Sequence, residues 1–443
     1  MKVRFVLALM VVSIGVSVAR AQEAPARVLF TNVSVFDGVS KERIPNANVL
    51  VEGHLIKQVS TSPIAAPGAK VIDGGGRTLM PGLIDAHWHV LFNSVSQSAL
   101  LASDFEYLVV MGVKSAGASL MRGFTTVRDV GGNVFSIKKT IDAGVIPGPR
   151  IYPSGPMISQ TGGHSDGNPY TAVPTEDPNA LSYLERNMLL MRADGVDQVT
   201  LRTRELLREG ASQIKIATGG GVSSLYDPLD VTEYTPAEVE AAVTAARNWG
   251  TYVAAHTFTD GATQMAIRAG IKTVEHGFLL TDSTLKMMAD RGVWLSIQPL
   301  LNDEDAFQFA DPVSTKKWIE VTQGTDRVYP AAKRLGVKIA FGTDILFDPA
   351  LTTKEGKLLA KLQRWFTPYE VLKMATHDNG ELLALSGPRN PYQEGPLGVV
   401  KPGAYADLIL VNGNPLEDIN LVADPDKNFS LIMKNGVIYK DTR

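Results

Sequence analysis

Eight short apolar segments recur between residues 82 and 341, with helix-like segments between them. The strand candidates are Gly82–Ala86, Thr125–Arg128, Arg150–Pro153, Gln213–Ala217, Tyr252–Ala255, Thr273–Glu275, Val293–Ile297 and Lys338–Phe341. Helix candidates between them include Ala99–Arg122, Val196–Glu209, Pro236–Trp249, Gly261–Ala269, Thr281–Arg291 and Thr322–Leu335. Regular alternation of this kind predicts a parallel sheet with helices outside, and eight units predict a (β/α)8 TIM barrel. The rival, a doubly wound open sheet, carries a Gly-rich dinucleotide fingerprint after its first strand. None follows Gly82–Ala86, and Gly219-Gly220-Gly221 comes late and is not followed at once by a helix.

The chain ends read differently. Val28–Phe36 alternates apolar and polar residues before an Asp37-Gly38 turn, and Ala406–Val411 and Val437–Tyr439 look alike, with Asn435-Gly436 between strands. This is β-meander chemistry. Residues 28–79 and 397–443 are expected to pair into one small β-sandwich domain, leaving 80–396 for the barrel. Residues 1–21 combine Lys2 and Arg4, an apolar run Phe5–Val18 and Ala19-Arg20-Ala21, the pattern of a cleavable signal peptide. The expectation is a secreted or periplasmic protein with no membrane span in the mature chain; an uncleaved anchor is the alternative.

Composition narrows the chemistry. The formal net charge of −3 argues against a nucleic-acid partner. With no cysteine, disulfides, thiolate nucleophiles and thiolate metal sites are excluded. Four of the seven histidines stand at the C-terminal ends of strand candidates, where a barrel builds its active site. His87 and His89 flank Trp88, and side chains two apart on a strand share a face. Two converging neutral imidazoles are most simply explained by a metal ion.

The stretch Pro81-Gly82-Leu83-Ile84-Asp85-Ala86-His87-Trp88-His89 resembles the first strand of the amidohydrolase superfamily, and the resemblance covers nearly all of the mature chain. It implies a metal-dependent hydrolase on a (β/α)8 barrel with a β-sandwich from both chain ends. It implies further that His87, His89, His256, His276 and Asp344 are metal ligands, and that Lys215 is carboxylated and bridges two divalent ions. Zinc suits such ligands best, with manganese or cobalt as alternatives.

Physical reasoning supports that role for Lys215. Apolar flanks and a nearby cation depress an amine's pKa, and a neutral amine can add CO2 to become an anionic carbamate. A salt bridge to a barrel carboxylate is the alternative. Asp344 is expected to ligate and to carry the proton from water to the leaving amine. His164, in Thr161-Gly162-Gly163-His164, resembles a family histidine that faces the substrate carbonyl. Arg128 is expected to clamp a substrate carboxylate, or else to pair with a barrel carboxylate. Tyr226 is expected to donate to the same carboxylate, or else to pack in its loop. His54 and His377 read as structural.

The connections 159–194 and 302–318 are long enough to roof the site, and Phe307, Phe309 and Trp318 are candidates for an apolar side-chain pocket or for packing within the lid. The resemblance is strongest to the branch holding prolidase-like, imidazolonepropionase-like and ochratoxin-hydrolysing members. The expected activity is hydrolysis of the amide bond to a C-terminal amino acid, apolar rather than basic, from a small-molecule or dipeptide substrate with a free carboxylate. Only Asp303, Glu304 and Asp305 would change that preference. A cyclic-amide hydrolase or deaminase and a non-catalytic metal-binding scaffold are the alternatives. A homo-oligomer is compatible with the sequence.

Overall fold

The computed structural model describes residues 26–175, 177, 179–224, 226–309 and 311–443; the expected signal peptide, 1–21, lies outside them. The eight barrel strands, numbered in chain order, are Leu83–Trp88, Phe124–Asp129, Arg150–Pro153, Ile214–Ala217, Val253–Thr257, Thr273–His276, Trp294–Ile297 and Ile339–Phe341. All pair in parallel within two runs, strands 1 to 3 and strands 4 to 8. Every residue in them is buried, which is why they read as short continuous apolar runs rather than alternating ones.

Side chains stitch the two seams. Between strands 3 and 4, Gln213 Nε2 donates to the carbonyls of Tyr152 (3.0 Å) and Asp129 (3.2 Å), and the Ser212 amide donates to Pro153 O. Between strands 8 and 1, Asn379 Nδ2 donates to Ile84 O (2.7 Å) and Phe341 O (2.8 Å). Buried carbonyls are satisfied here by polar side chains where the ladder stops.

The helices depart from expectation in two places. The segment expected as one helix, Ala99–Arg122, forms two, Gln97–Ala102 and Phe105–Met121, because Asp104 caps the second through the Tyr107 amide (2.7 Å). The helix between strands 7 and 8 runs Pro312–Leu335, a longer span than expected, with Asp311 capping Ser314 N and proline at its first position. Residues 312–318 are therefore helix rather than open lid. Helix Gly195–Glu209 stops at Gly210, whose φ of 104° excludes most side chains.

Both chain ends enter one eight-stranded sheet. Leu408–Val411 lies antiparallel between Thr78–Pro81 and Phe429–Lys434, and Arg27–Val35 joins Ile44–Glu52 to the same sheet. This sheet has its own core, including Phe30, Val49, Leu79, Leu410 and Leu431. Strand Thr78–Pro81 leads directly into barrel strand 1, so the sheet anchors the segment that carries His87 and His89. Among the described residues no helix is long and apolar enough to cross a membrane.

Candidate metal centre and substrate pocket

The strand ends bring His87, His89, Lys215, His256, His276 and Asp344 to the floor of one pocket, with His164 on its wall. Asp344 is the hub. Its Oδ1 lies 3.3 Å from His87 Nε2 and 3.2 Å from His89 Nε2, and its Oδ2 lies 3.6 Å from His276 Nδ1. Ligand atoms of His87, His276 and Asp344 fall within 4.8 Å of one another, as metal ligands would.

The donor set fits a divalent cation. His87 Nδ1 donates to Glu275 Oε2 (2.7 Å), His276 Nδ1 to Gln298 Oε1 (2.9 Å) and His256 Nε2 to Gly220 O (3.2 Å). Each ring thus spends one nitrogen on a protein acceptor, which assigns the lone pair to the other, as ligating histidines do. Burial pushes the His89 imidazole down to about 4 and that of His276 to about 3, and holds His256 well below the usual range, so these rings are neutral at pH 7. Burial works to raise the Asp344 carboxyl, but the adjacent His87 and His276 outweigh it and hold it well below the usual range. Neutral nitrogens facing an ionised carboxylate in a dry site call for a cation.

Lys215 is buried and its ammonium makes no hydrogen bond and no ion pair among the described residues. Burial lowers its pKa to about 8. The barrel carboxylate that could have paired with it, Glu275, accepts instead from Arg128, His87 and Thr273.

Two of the expected substrate contacts are corrected. Arg128 is fully buried beneath the floor: Nη2 lies 2.8 Å from both Glu275 oxygens and Nε donates to Ala86 O at 2.5 Å. Its guanidinium is a structural cation, held by a carboxylate 147 positions away, and does not reach the pocket. Tyr226 also stays outside; its hydroxyl donates to Asn168 O (2.6 Å) and its ring meets Tyr170 edge-on. His164 does face the pocket. Its ring stacks on His256 at 3.9 Å, and Nδ1 meets Ser224 Oγ (2.8 Å) and Asp227 Oδ2 (3.2 Å). His54 pairs with Glu394 and His377 with Asp378, both away from the pocket.

Several supporting groups carry no sequence signature. Gly342 backs His87, Gly131 backs His89 and Gly221 backs His164; a Cβ on any of them would lie under 3.0 Å from the ring-bearing residue. His276 (φ 73°) and Asp344 (φ 50°) hold left-handed backbone, a strain of about 1–3 kcal/mol each that concentrates at functional sites. Lys317 Nζ donates to the carbonyls of Gly221, Ser224 and Asp227, tying down the loop that contacts His164.

Above the floor the wall is apolar, with Phe278, Leu300, Phe307, Phe309, Trp318 and Phe347 facing the pocket. Phe309 lies 4.5 Å from Phe307 and 5.9 Å from Trp318, centre to centre, so these rings both line the pocket and pack together.

Barrel and site together define the class, a (β/α)8 hydrolase acting on C–N bonds. Residues 78–439 match the amidohydrolase family, and the chain belongs to it. That family is typically binuclear and metal-dependent. The chain is 30% identical over 379 residues to the ochratoxinase of Aspergillus niger, covering 82% of this chain and 75% of that one. A crystal structure of A. niger ochratoxinase is similar with a TM-score of 0.80 at 26% identity, over 95% of this chain and 96% of that one. A prolidase complexed with N-methylphosphonate-L-proline is similar at 32% identity and a TM-score of 0.86, over 94% and 100%.

Proposed function

We propose that the protein hydrolyses the amide bond between an acyl or aminoacyl group and a C-terminal amino acid with an apolar side chain. Its resident cofactors are two divalent ions, zinc by preference, held by His87, His89, His256, His276, Asp344 and carboxylated Lys215. When bound, the ions supply activation of water and polarisation of the scissile carbonyl. Asp344 accepts the proton of the attacking water and passes it to the departing amine nitrogen. His164 braces the carbonyl oxygen, where charge grows in the transition state.

One observation carries the choice of leaving group: the pocket joins this polar floor directly to the wall of Phe307, Phe309 and Trp318. The acids that would have received a basic side chain are engaged elsewhere. Asp303 and Asp305 pair with Lys361 at 2.7 and 2.9 Å, and Glu304 with Lys357 at 3.3 Å. Hydrolysis of ochratoxin A, which releases phenylalanine, fits this pocket, and the relatives named ochratoxinase and prolidase support a substrate of this chemical class. Residues 1–21 act as an export signal, which N-terminal sequencing of the mature protein tests.

The deciding experiment compares N-acetyl-phenylalanine with its amide and its methyl ester on the metal-loaded enzyme. The free acid should be cleaved in preference to the amide and the ester, as a leaving group that is a C-terminal amino acid requires. Equal cleavage of all three would replace this reading with that of a general amidase or esterase.

A further inference from the structure

The acidic run Asp303-Glu304-Asp305 meets a basic stripe. Lys354 ends a short turn and Lys357 and Lys361 follow on helix Glu355–Lys361, spaced so that all three face one side. Asp305 sits at the centre, its side chain out of solvent, with Lys354 Nζ at 2.8 Å, Lys357 at 3.0 Å and Lys361 at 2.9 Å. Asp303 adds a second contact to Lys361 (2.7 Å). Three acids and three lysines balance. The helix that carries the lysines is itself fixed: buried Glu355 pairs with Arg122 (2.6 Å), and Gly356 packs so closely on Val422 O that a Cβ would lie 2.1 Å from it.

Immediately after this cluster come the pocket rings. Among the described residues, Ala306 to Phe309 make no hydrogen bond to any segment beyond 303–309. The aromatic wall is therefore held by ring packing on one side and the ion cluster on the other.

Resting on the reading above, we propose that Asp305, gripped by Lys354, Lys357 and Lys361, is a positioning residue that sets preference for an apolar leaving side chain by holding Phe307 and Phe309 against Trp318. The carboxylate is buried and the ammoniums are partly exposed, so added salt screens the pair, though less than it would a fully exposed one.

The test uses metal-loaded Asp305→Asn and the milder surface variant Lys357→Met, each with N-acetyl-phenylalanine and with N-acetylglycine, whose leaving residue has no side chain to reach the wall. Hydrogen exchange of the 302–309 peptide is followed alongside, as a readout free of catalysis. In Asp305→Asn, KM for the phenylalanine substrate should rise about tenfold, the order expected when a packed aromatic anchor is lost, with kcat nearly unchanged. Lys357→Met should give a smaller rise of the same kind. N-acetylglycine kinetics should hold in both, and exchange at 302–309 should quicken. Added salt should raise the wild-type KM for phenylalanine relative to that for N-acetylglycine, and leave that ratio flat in Asp305→Asn. Unchanged exchange in both variants, or an equal loss on both substrates, would overturn this role for Asp305. If the wild type cleaves neither substrate, the reading of function falls, while exchange at 302–309 still decides whether Asp305 holds the segment.

Discussion

His87 and Glu275 meet Nδ1 to Oε2 at 2.7 Å, with neither side chain reaching solvent. The carboxylate fixes the tautomer and orientation of the ring, and Arg128 in turn fixes the carboxylate. Glu275→Gln keeps the shape and removes the charge. Metal affinity should fall about 10–100-fold, read by competition with a chelator. Unaltered affinity would show that the ring is oriented by other contacts.

Lys215→Ala should abolish activity and bring bound metal below two ions per chain, measured by elemental analysis. A short carboxylic acid added with the metal should restore part of the rate by standing in for the carbamate oxygens. Two retained ions with a full rate would end the carbamate assignment.

Arg128→Met should leave the preference for a free carboxylate over its methyl ester intact. Its cost is in folding: the Glu275 charge stays buried without its cation, a loss of about 3–5 kcal/mol in urea unfolding. A changed acid-to-ester preference with normal stability would return Arg128 to the substrate site.

Glu233 gives a pH signature. Burial lifts its carboxyl to about 7, opposed by His164 and aided by Asp227, while its oxygens accept from the His164 amide and Ser159. The folded state therefore holds this proton where the unfolded chain has lost it. The contribution is full below the usual glutamate pKa, about 4.5, and declines as pH rises to about 7, by about 3 kcal/mol in all. Glu233→Gln should gain stability over wild type at pH 8 compared with pH 5. Parallel pH profiles would show that Glu233 is ionised in the fold.

Gly221→Ala places a Cβ 2.0 Å from the His164 ring, which is already stacked on His256. The ring must move. The turnover rate should fall by up to about 10²-fold, the cost of an ångström-scale misplacement, with metal content intact. A normal rate would remove His164 from the reaction.

The barrel was legible because strands buried on both faces are short apolar runs, and His87, Lys215, His256, His276 and Asp344 stand out as polar residues at or near their ends. What escaped depends on residues far apart in the chain. Nothing around Arg128 announces Glu275, so a substrate clamp and a pair with a barrel carboxylate read alike, and the fold selects the pair. The lysine stripe at 354–361 looks like ordinary solvated surface, and the acids at 303–305 read as possible receivers of a basic side chain, until the fold places them together. Tyr226 takes its other reading, packing in the loop, for a local reason: Asn168 O accepts its hydroxyl. The left-handed backbone at His276 and Asp344 follows from the surrounding barrel and leaves no trace in residue type.

The position of Leu408–Val411 between Thr78–Pro81 and Phe429–Lys434 has a consequence for biosynthesis. Until that pairing forms, the strand leading into His87 and His89 presents an open hydrogen-bonding edge, and its neighbour lies about 330 positions further along the chain. The nascent chain must be shielded from pairing with other copies until its two ends meet. Chaperone dependence and aggregation of C-terminally truncated chains are the expected marks of that wait.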